Sequence, residues 1–194
     1  MMVDYYENLE KEINEGLSND LIPMGFDRLS FHVGLRKSTY YLVGGFTGSG
    51  KTALIDDAFV LNPYDFVNSI KNTTGVSLKI FYFSMERRKN YKLGKWLSRK
   101  IFLDTGKIIS VNKILGWVDA QYKLTTEEKQ LLDSYKSYIN DLLNNVVTII
   151  ENPQNPMGVK KIIDKYAEEN GTWEQIDKHN RVYKPNNPKE LVIV

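Results

Sequence analysis

The feature that most constrains this chain is a glycine-rich octapeptide at residues 45–52, GFTGSGKT, which has the form G-x-x-x-x-G-K-S/T. An apolar run precedes it, and the helix-compatible residues 53–59 follow it. Four fixed positions in that context are specific for a loop between a strand and a helix. The sequence therefore predicts a first core strand at residues 40–44 and a helix over about residues 50–61, which Asn62-Pro63 would terminate.

A loop of this form, the Walker A pattern, is built to hold phosphate. Its glycines allow successive backbone N–H groups to turn toward phosphate oxygens, and the following helix adds its positive N-terminal end. Lys51 is expected to reach the β- and γ-phosphates, and the Thr52 hydroxyl to ligate Mg²⁺. We therefore expect ATP and Mg²⁺ as cofactors. The residues expected to contact the nucleotide are Gly45, Phe46, Thr47, Gly48, Ser49, Gly50, Lys51 and Thr52.

Composition excludes several other kinds of site. The chain of 194 residues is long enough for one domain with a substantial core, with or without a short appendage. It has no cysteine, which excludes disulfides, thiolate metal sites and cysteine nucleophiles, and its two histidines are too far apart in sequence to favour a zinc site. A net charge of +2 gives no global argument for nucleic-acid binding. The absence of a membrane-length apolar run or a signal peptide predicts an intracellular, cytoplasmic protein without a membrane partner.

The rest of the chain alternates between strand-like and helix-like patterns. This alternation predicts an α/β fold with a mostly parallel sheet flanked by helices. At the N-terminus, residues 1–20 predict a separate helix that packs either on its own domain or on a neighbouring subunit. The further strands are expected at residues 79–84, 146–150 and 191–194, the further helices at residues 87–102, 125–144 and 159–169, and a polar loop at residues 172–189. Thr125 and Glu128 have the spacing of a capping box, which predicts the start of the helix at residues 125–144.

Two carboxylates follow predicted strands. Glu86 comes after the strand at residues 79–84, and Glu151 comes after the strand at residues 146–150. Because ligands of open α/β sheets bind at the carboxyl ends of the strands, either side chain could orient water or hold Mg²⁺. The alternative for each is a solvated acid at a strand end, and that alternative is the stronger one for Glu151.

The phosphate loop followed by Ile80–Glu86, with sequence IFYFSME, resembles the RecA-like motor of the DnaB-type, or superfamily four, replicative helicases. Residues 22–29 and 147–163 are similar to that family at the level of pattern, so the resemblance covers about residues 18–194. It implies a RecA-like P-loop NTPase fold that works as an ATP-hydrolysing DNA helicase. It also implies DNA as the partner and a homo-oligomeric ring, a hexamer. Lys51 and Glu86 would be the catalytic residues, with Glu86 positioning the attacking water, and the N-terminal helix would be an inter-subunit linker.

The chain also departs from the family pattern. The fourth strand of the family ends in an aspartate that holds Mg²⁺ through water, whereas this sequence reaches Val194 before any such residue. The DNA-contacting loops and the arginine finger that the family places later are not reached either. We therefore expect residues 21–194 to be a partial RecA-like domain, truncated after its fourth core strand. The alternative is a naturally short protein in which Glu151 is the metal-side carboxylate.

Two other functions remain open. A small P-loop phosphotransferase, or kinase, would need an arginine-rich lid, and residues 172–189 contain only Arg181. A nucleotide-binding module without hydrolysis would need only the phosphate loop. Neither requires nucleic acid.

Residues 87–100 contain seven basic residues and no acidic one. This run is either a patch for nucleic acid or a neighbouring subunit, or an amphipathic core helix with a solvated outer face. The second interpretation is favoured. It places Trp96 on the buried stripe and Arg88, Lys92, Lys95 and Arg99 on the outer face.

The assignment of Glu86 leads to a direct test. Glu86→Gln is expected to abolish ATP hydrolysis and to leave nucleotide binding intact, because the amide cannot accept a proton from water but keeps the shape of the side chain. Phosphate release and equilibrium nucleotide titration measure the two properties. An unchanged rate of hydrolysis in this variant would refute the assignment.

Overall fold

The structure is a computed structural model that describes residues 21–30, 32–84, 88–152, 154–177 and 180–194. The helix expected within residues 1–20 lies outside these ranges. The chain divides into two compact units, with the boundary between Leu78 and Lys79.

The first unit is mainly helical. Its short strands β1 and β2 pair antiparallel, with Ile22 opposite Leu35. Its elements are β1 (Ile22–Pro23), α1 (Asp27–Ser30), β2 (Gly34–Leu35), α2 (Lys51–Asp56), a π-helical segment (Asp57–Leu61) and α3 (Asn62–Thr74).

The second unit contains the main sheet and its helices. Strand β3 crosses the boundary between the units. The elements are β3 (Ser77–Phe83), α4 (Lys89–Thr105), α5 (Val111–Ile114), a 3-10 turn (Ala120–Tyr122), α6 (Thr126–Ser134), α7 (Lys136–Asp141), a second π-helical segment (Leu142–Val146), β4 (Val147–Ile150), α8 (Pro156–Glu169), β5 (Gly171–Gln175), β6 (Arg181–Pro185) and β7 (Glu190–Ile193).

The helix that begins at Lys51 does not end at Pro63, so the expected boundary is wrong. It continues to Thr74 through the π-helical segment, in which the Asn62 N–H donates to the Asp57 carbonyl five residues back. In a regular α-helix the Pro63 ring would clash with the carbonyl four residues before it. A wider turn directly before the proline is a local way to accommodate that ring.

The strand expected at residues 40–44 is also wrong, because these residues lie outside regular secondary structure. The Tyr41 hydroxyl donates to the Gly34 carbonyl at 2.6 Å and accepts from the Arg36 N–H at 2.9 Å. The Tyr41 ring packs edge-on against Phe59 with centroids 5.5 Å apart. Residues 40–44 are therefore held in place by the Tyr41 side chain and not by the backbone hydrogen bonds of a sheet.

The main sheet has three strands in the order β4-β3-β7 and confirms the α/β class. Strands β3 and β4 are parallel, with Ile80 opposite Val147 and Phe83 opposite Ile150. The three strands coincide, within a few residues, with those expected at residues 79–84, 146–150 and 191–194. Long apolar runs identify these strands because both faces of a parallel sheet are covered.

Helices cover both faces of β3. The Phe81 ring packs edge-on against Tyr166 of α8 with centroids 5.1 Å apart, and the next residue, Tyr82, packs against Trp96 of α4 at 6.0 Å. Successive side chains of a strand point to opposite faces, so α4 and α8 lie on opposite sides of the sheet. The buried apolar residues of the second unit are Ile80, Phe81, Trp96, Ile101, Ile109, Leu142, Val147 and Leu191.

The polar loop expected at residues 172–189 is wrong, because it contains an antiparallel hairpin of β5 and β6. Trp173 lies opposite Tyr183, and the Arg181 guanidinium lies 4.5 Å from the centre of the Trp173 ring. Cross-strand aromatic pairs stabilise hairpins, and that contribution outweighs the polar composition. The β-branched and aromatic residues of the two runs, Thr172-Trp173 and Val182-Tyr183, were a sequence signal for it.

The expected capping box at the start of α6 is confirmed. The Glu128 N–H donates to the Thr125 hydroxyl oxygen at 3.2 Å, and the Thr125 N–H donates to the Glu128 carboxylate at 2.9 Å. The Lys113 ammonium contacts both oxygens of the same carboxylate, at 2.7 and 2.9 Å. Glu128 therefore joins α5 to the first turn of α6.

Glu128→Ala is expected to lower the free energy of unfolding by about 1–2 kcal/mol, since it removes a helix cap and a charge-assisted bond together. The matched control is Glu127→Ala, which removes an exposed acid from the same first turn and should cost only a few tenths of a kcal/mol. Urea unfolding measures both values. Equal losses in the two variants would contradict the assigned contacts.

The same pair predicts a dependence on pH. The Lys113 ammonium and the Thr125 N–H hold the pKa of Glu128 below its ordinary value of 4.5. A lowered folded-state pKa means that the contribution is fully present above about pH 4.5 and is lost as the pH falls through the folded value. The stability difference between wild type and Glu128→Ala should therefore shrink as the pH falls below 4.5.

Candidate nucleotide-binding site

The phosphate loop contains two glycines in the left-handed region of backbone space. Gly48 has a φ of 81° and Gly50 a φ of 88°, and no atom lies within 4 Å of a Cβ built at either position. Glycine is therefore favoured at these two positions because of the backbone φ angle, and not because a side chain would clash with a neighbour. The Ser49 N–H donates to the Phe46 carbonyl at 3.1 Å and closes the turn between them.

Helix α2 begins directly at the end of this loop. Its first backbone hydrogen bond runs from the Leu54 N–H to the Gly50 carbonyl at 2.9 Å. The amides of residues 51–53 therefore lie ahead of the helical ladder, at the end that carries the positive partial charge. This arrangement favours an anion beside the loop.

Lys51 is the residue whose contacts are most informative. Its ammonium donates to the Gly45 carbonyl and to the Phe46 carbonyl, each at 2.8 Å. The side chain thus folds back along the loop, and the cation lies over the first residues of the octapeptide. Neutral carbonyls are weaker acceptors for an ammonium than phosphate oxyanions, so a phosphate can replace these contacts at a net gain.

Thr52 is the second residue of α2 and is exposed. Among the residues that the structure describes, no group of three or more histidine, aspartate or glutamate side chains could hold a metal ion. A hydroxyl beside a phosphate loop suits Mg²⁺, which is bound by few protein ligands and takes the others from water and substrate phosphates. The Thr52 oxygen therefore fits a metal that arrives with the nucleotide.

Of the two strand-end carboxylates, Glu86 lies outside the described residues. Glu151 lies just after β4, and its Oε1 accepts a hydrogen bond from the Lys89 backbone N–H at 2.7 Å. Helix α4 begins at Lys89 and has no acidic residue in its first turn. The carboxylate therefore supplies the negative charge at the start of α4 and acts as its cap.

The expected outer face of α4 is wrong at one position. Lys92 is buried, and its ammonium donates to the Tyr82 hydroxyl and lies 4.5 Å from the centre of that ring. Trp96 is buried as expected, and Lys92 lies four residues before it, on the same side of the helix. That spacing was a sequence signal for the burial of Lys92, whose long stem can cover apolar surface.

Comparison with known proteins does not extend these observations, because no protein-family model, curated protein or solved structure matches this chain. Within the described ranges, no helix is both long and apolar enough to cross a membrane.

The backbone of the loop yields a prediction for two substitutions. Gly48→Ala and Gly50→Ala should each weaken nucleotide binding about tenfold, because a non-glycine residue pays about 1–2 kcal/mol to stay left-handed. Titration with a fluorescent ATP analogue measures the affinity. Gly44→Ala is the matched control, since Gly44 has no positive φ and no atom within 4 Å of an added Cβ. Equal affinities in all three variants would show that the left-handed turns do not shape the site.

Proposed function

We propose that this chain binds ATP with Mg²⁺ at residues 45–52 and forms the ATP-hydrolysing core of a replicative-type DNA helicase. The observation that carries the nucleotide site is the Lys51 ammonium, held 2.8 Å from two carbonyls of a loop that contains two left-handed glycines. The sequence motif supports the same residues.

The chain's own groups have distinct roles in this proposal. The loop amides and Lys51 bind and orient the phosphates, and Thr52 contributes one oxygen to the metal. Mg²⁺, when bound, supplies charge neutralisation at the phosphates. Glu86 orients the attacking water, a role that rests on the resemblance to the helicase family.

The motor part of the proposal is supported by the α/β class and by the family resemblance of the sequence. A three-stranded parallel sheet with helices on both faces is compatible with a RecA-like fold. In such motors the site lies between subunits of a ring, here a hexamer, and a neighbour supplies the arginine that completes it. DNA is the proposed track.

Lys51→Ala should reduce ATP affinity by about tenfold or more, because it removes a charge-assisted contact to phosphate. The matched control is Lys71→Ala. Lys71 is exposed, lies in the same unit, and its ammonium contacts a neighbouring amide, the Asn68 Oδ1, at 3.0 Å. Isothermal titration with ATP and Mg²⁺ measures both variants.

A loss shared by the two lysine variants would point to general electrostatics and would remove Lys51 from the site. The motor function has a separate readout, which is stimulation of ATP hydrolysis by single-stranded DNA. Hydrolysis that DNA leaves unchanged, together with phosphate transfer to a small acceptor, would favour a kinase instead.

A further inference from the structure

The positive charge of this protein is concentrated in one part of the chain. Residues 88–123 contain nine lysines and arginines and only two aspartates, a formal charge of +7, whereas the whole chain carries +2. The rest of the sequence is therefore net acidic. A local excess of this size is the electrostatic footprint of a polyanion-binding surface.

The same segment carries an aromatic pair, formed by the half-buried Tyr91 and the exposed Trp117. The Tyr91 and Trp117 rings are nearly parallel, with centroids 6.1 Å apart and an angle of 22° between their planes. Trp117 is 63% exposed although it is stacked on Tyr91. Most of the indole is thus open to solvent, so one of its faces is available for stacking.

The backbone at Trp117 is fixed by the end of helix α5. Gly116 has a φ of 70°, the Gly116 N–H donates to the Lys113 carbonyl at 3.1 Å, and the Trp117 N–H donates to the Asn112 carbonyl at 2.8 Å. This pair of bonds around a left-handed glycine is a Schellman motif. The exposed indole therefore projects from an ordered turn.

Close packing of α5 on α4 brings the two rings together. A Cβ at Gly94 of α4 would lie 3.3 Å from Val111 of α5 and 3.6 Å from Leu115. The Ser98 hydroxyl also donates to the Ile109 carbonyl at 2.6 Å. Lys95 lies four residues after Tyr91, on the same face of α4, so a basic side chain neighbours the aromatic pair.

We propose that the Tyr91–Trp117 pair and the basic residues around it bind single-stranded nucleic acid. A base stacks on the open indole, and basic residues of 88–123 other than the buried Lys92 and the Glu128-bound Lys113 contact the phosphates. A single strand is favoured over a duplex because its bases are free to stack on a protein ring. An acidic peptide could satisfy the charge but would leave the open face of the indole without a flat partner.

This inference deepens the proposed function and rests on it for the identity of the track. The surface belongs wholly to the second unit and does not include the phosphate loop. The binding experiment is done without nucleotide, and Lys51→Ala is carried alongside. If Lys51→Ala loses ATP binding but still binds the oligonucleotide, the ATP site and this surface are independent, and a failure of one can be distinguished from a failure of the other.

The test is fluorescence anisotropy of the full chain with labelled oligothymidine and oligouridine, each with a duplex competitor. Trp117→Ala should weaken binding of the single strand about tenfold, since stacking of one base contributes on that scale. Trp117→Phe should recover part of the loss. Trp173→Ala is the matched control. Trp173 is exposed too, at 43%, but it lies on the β5–β6 hairpin, where Arg181 covers its ring.

A charge variant tests the phosphate contacts. Lys95→Gln should lower the slope of log affinity against log salt by about 0.7, the value for one phosphate contact to a single strand. Three results would overturn the proposal: no binding by wild type, equal losses in Trp117→Ala and Trp173→Ala, or displacement of the oligonucleotide by duplex as readily as by single strand. Thermal unfolding of Trp117→Ala at the wild-type midpoint would show that its loss of binding is not a loss of fold.

Discussion

The parallel pairing of β3 with β4 is the constraint on which the second unit depends. Parallel neighbours cannot be joined by a tight turn, so the chain must cross from the end of one strand to the start of the other. Residues 84–146 make that crossing and contain helices α4 to α7. At the end of β4, the Glu151 carboxylate accepts the Lys89 amide and fixes the start of the crossing beside the strand ends. The basic segment is therefore part of the architecture and not an appendage.

The phosphate loop depends on a different kind of constraint, which is local. Two left-handed glycines, a helix that begins at Lys51 and an ammonium bonded to nearby carbonyls all lie within eight residues. None of these features needs a distant partner. The lysine contacts also keep a cation near the loop, so that the phosphate binding we propose would exchange acceptors without a large rearrangement.

What the sequence predicted well follows from this difference. The start of the helix at Lys51, the capping box of Thr125 and Glu128 and the apolar strands β3, β4 and β7 are encoded by local pattern, and the structure has them. The wrong predictions arise where contacts between distant residues outweigh the local sequence preference. The run at residues 40–44 is apolar enough for a strand, but Tyr41 is held through its hydroxyl. The hairpin of β5 and β6 is stabilised by the contact of Trp173 with Tyr183 on the opposite strand, although the segment as a whole is polar.

The π-helical segment Asp57–Leu61 links the length of the chain at that point to Pro63. A π-helical turn holds one residue more than an α-helical turn, so removing one residue there would leave a regular α-helix with the faces of α2 and α3 in their present phase. Tyr64 and Val67, which are buried, would stay on the core face. The narrower turn would instead bring the Pro63 ring against the carbonyl four residues before it. A single-residue deletion in this segment should therefore be tolerated better when Pro63 is replaced as well.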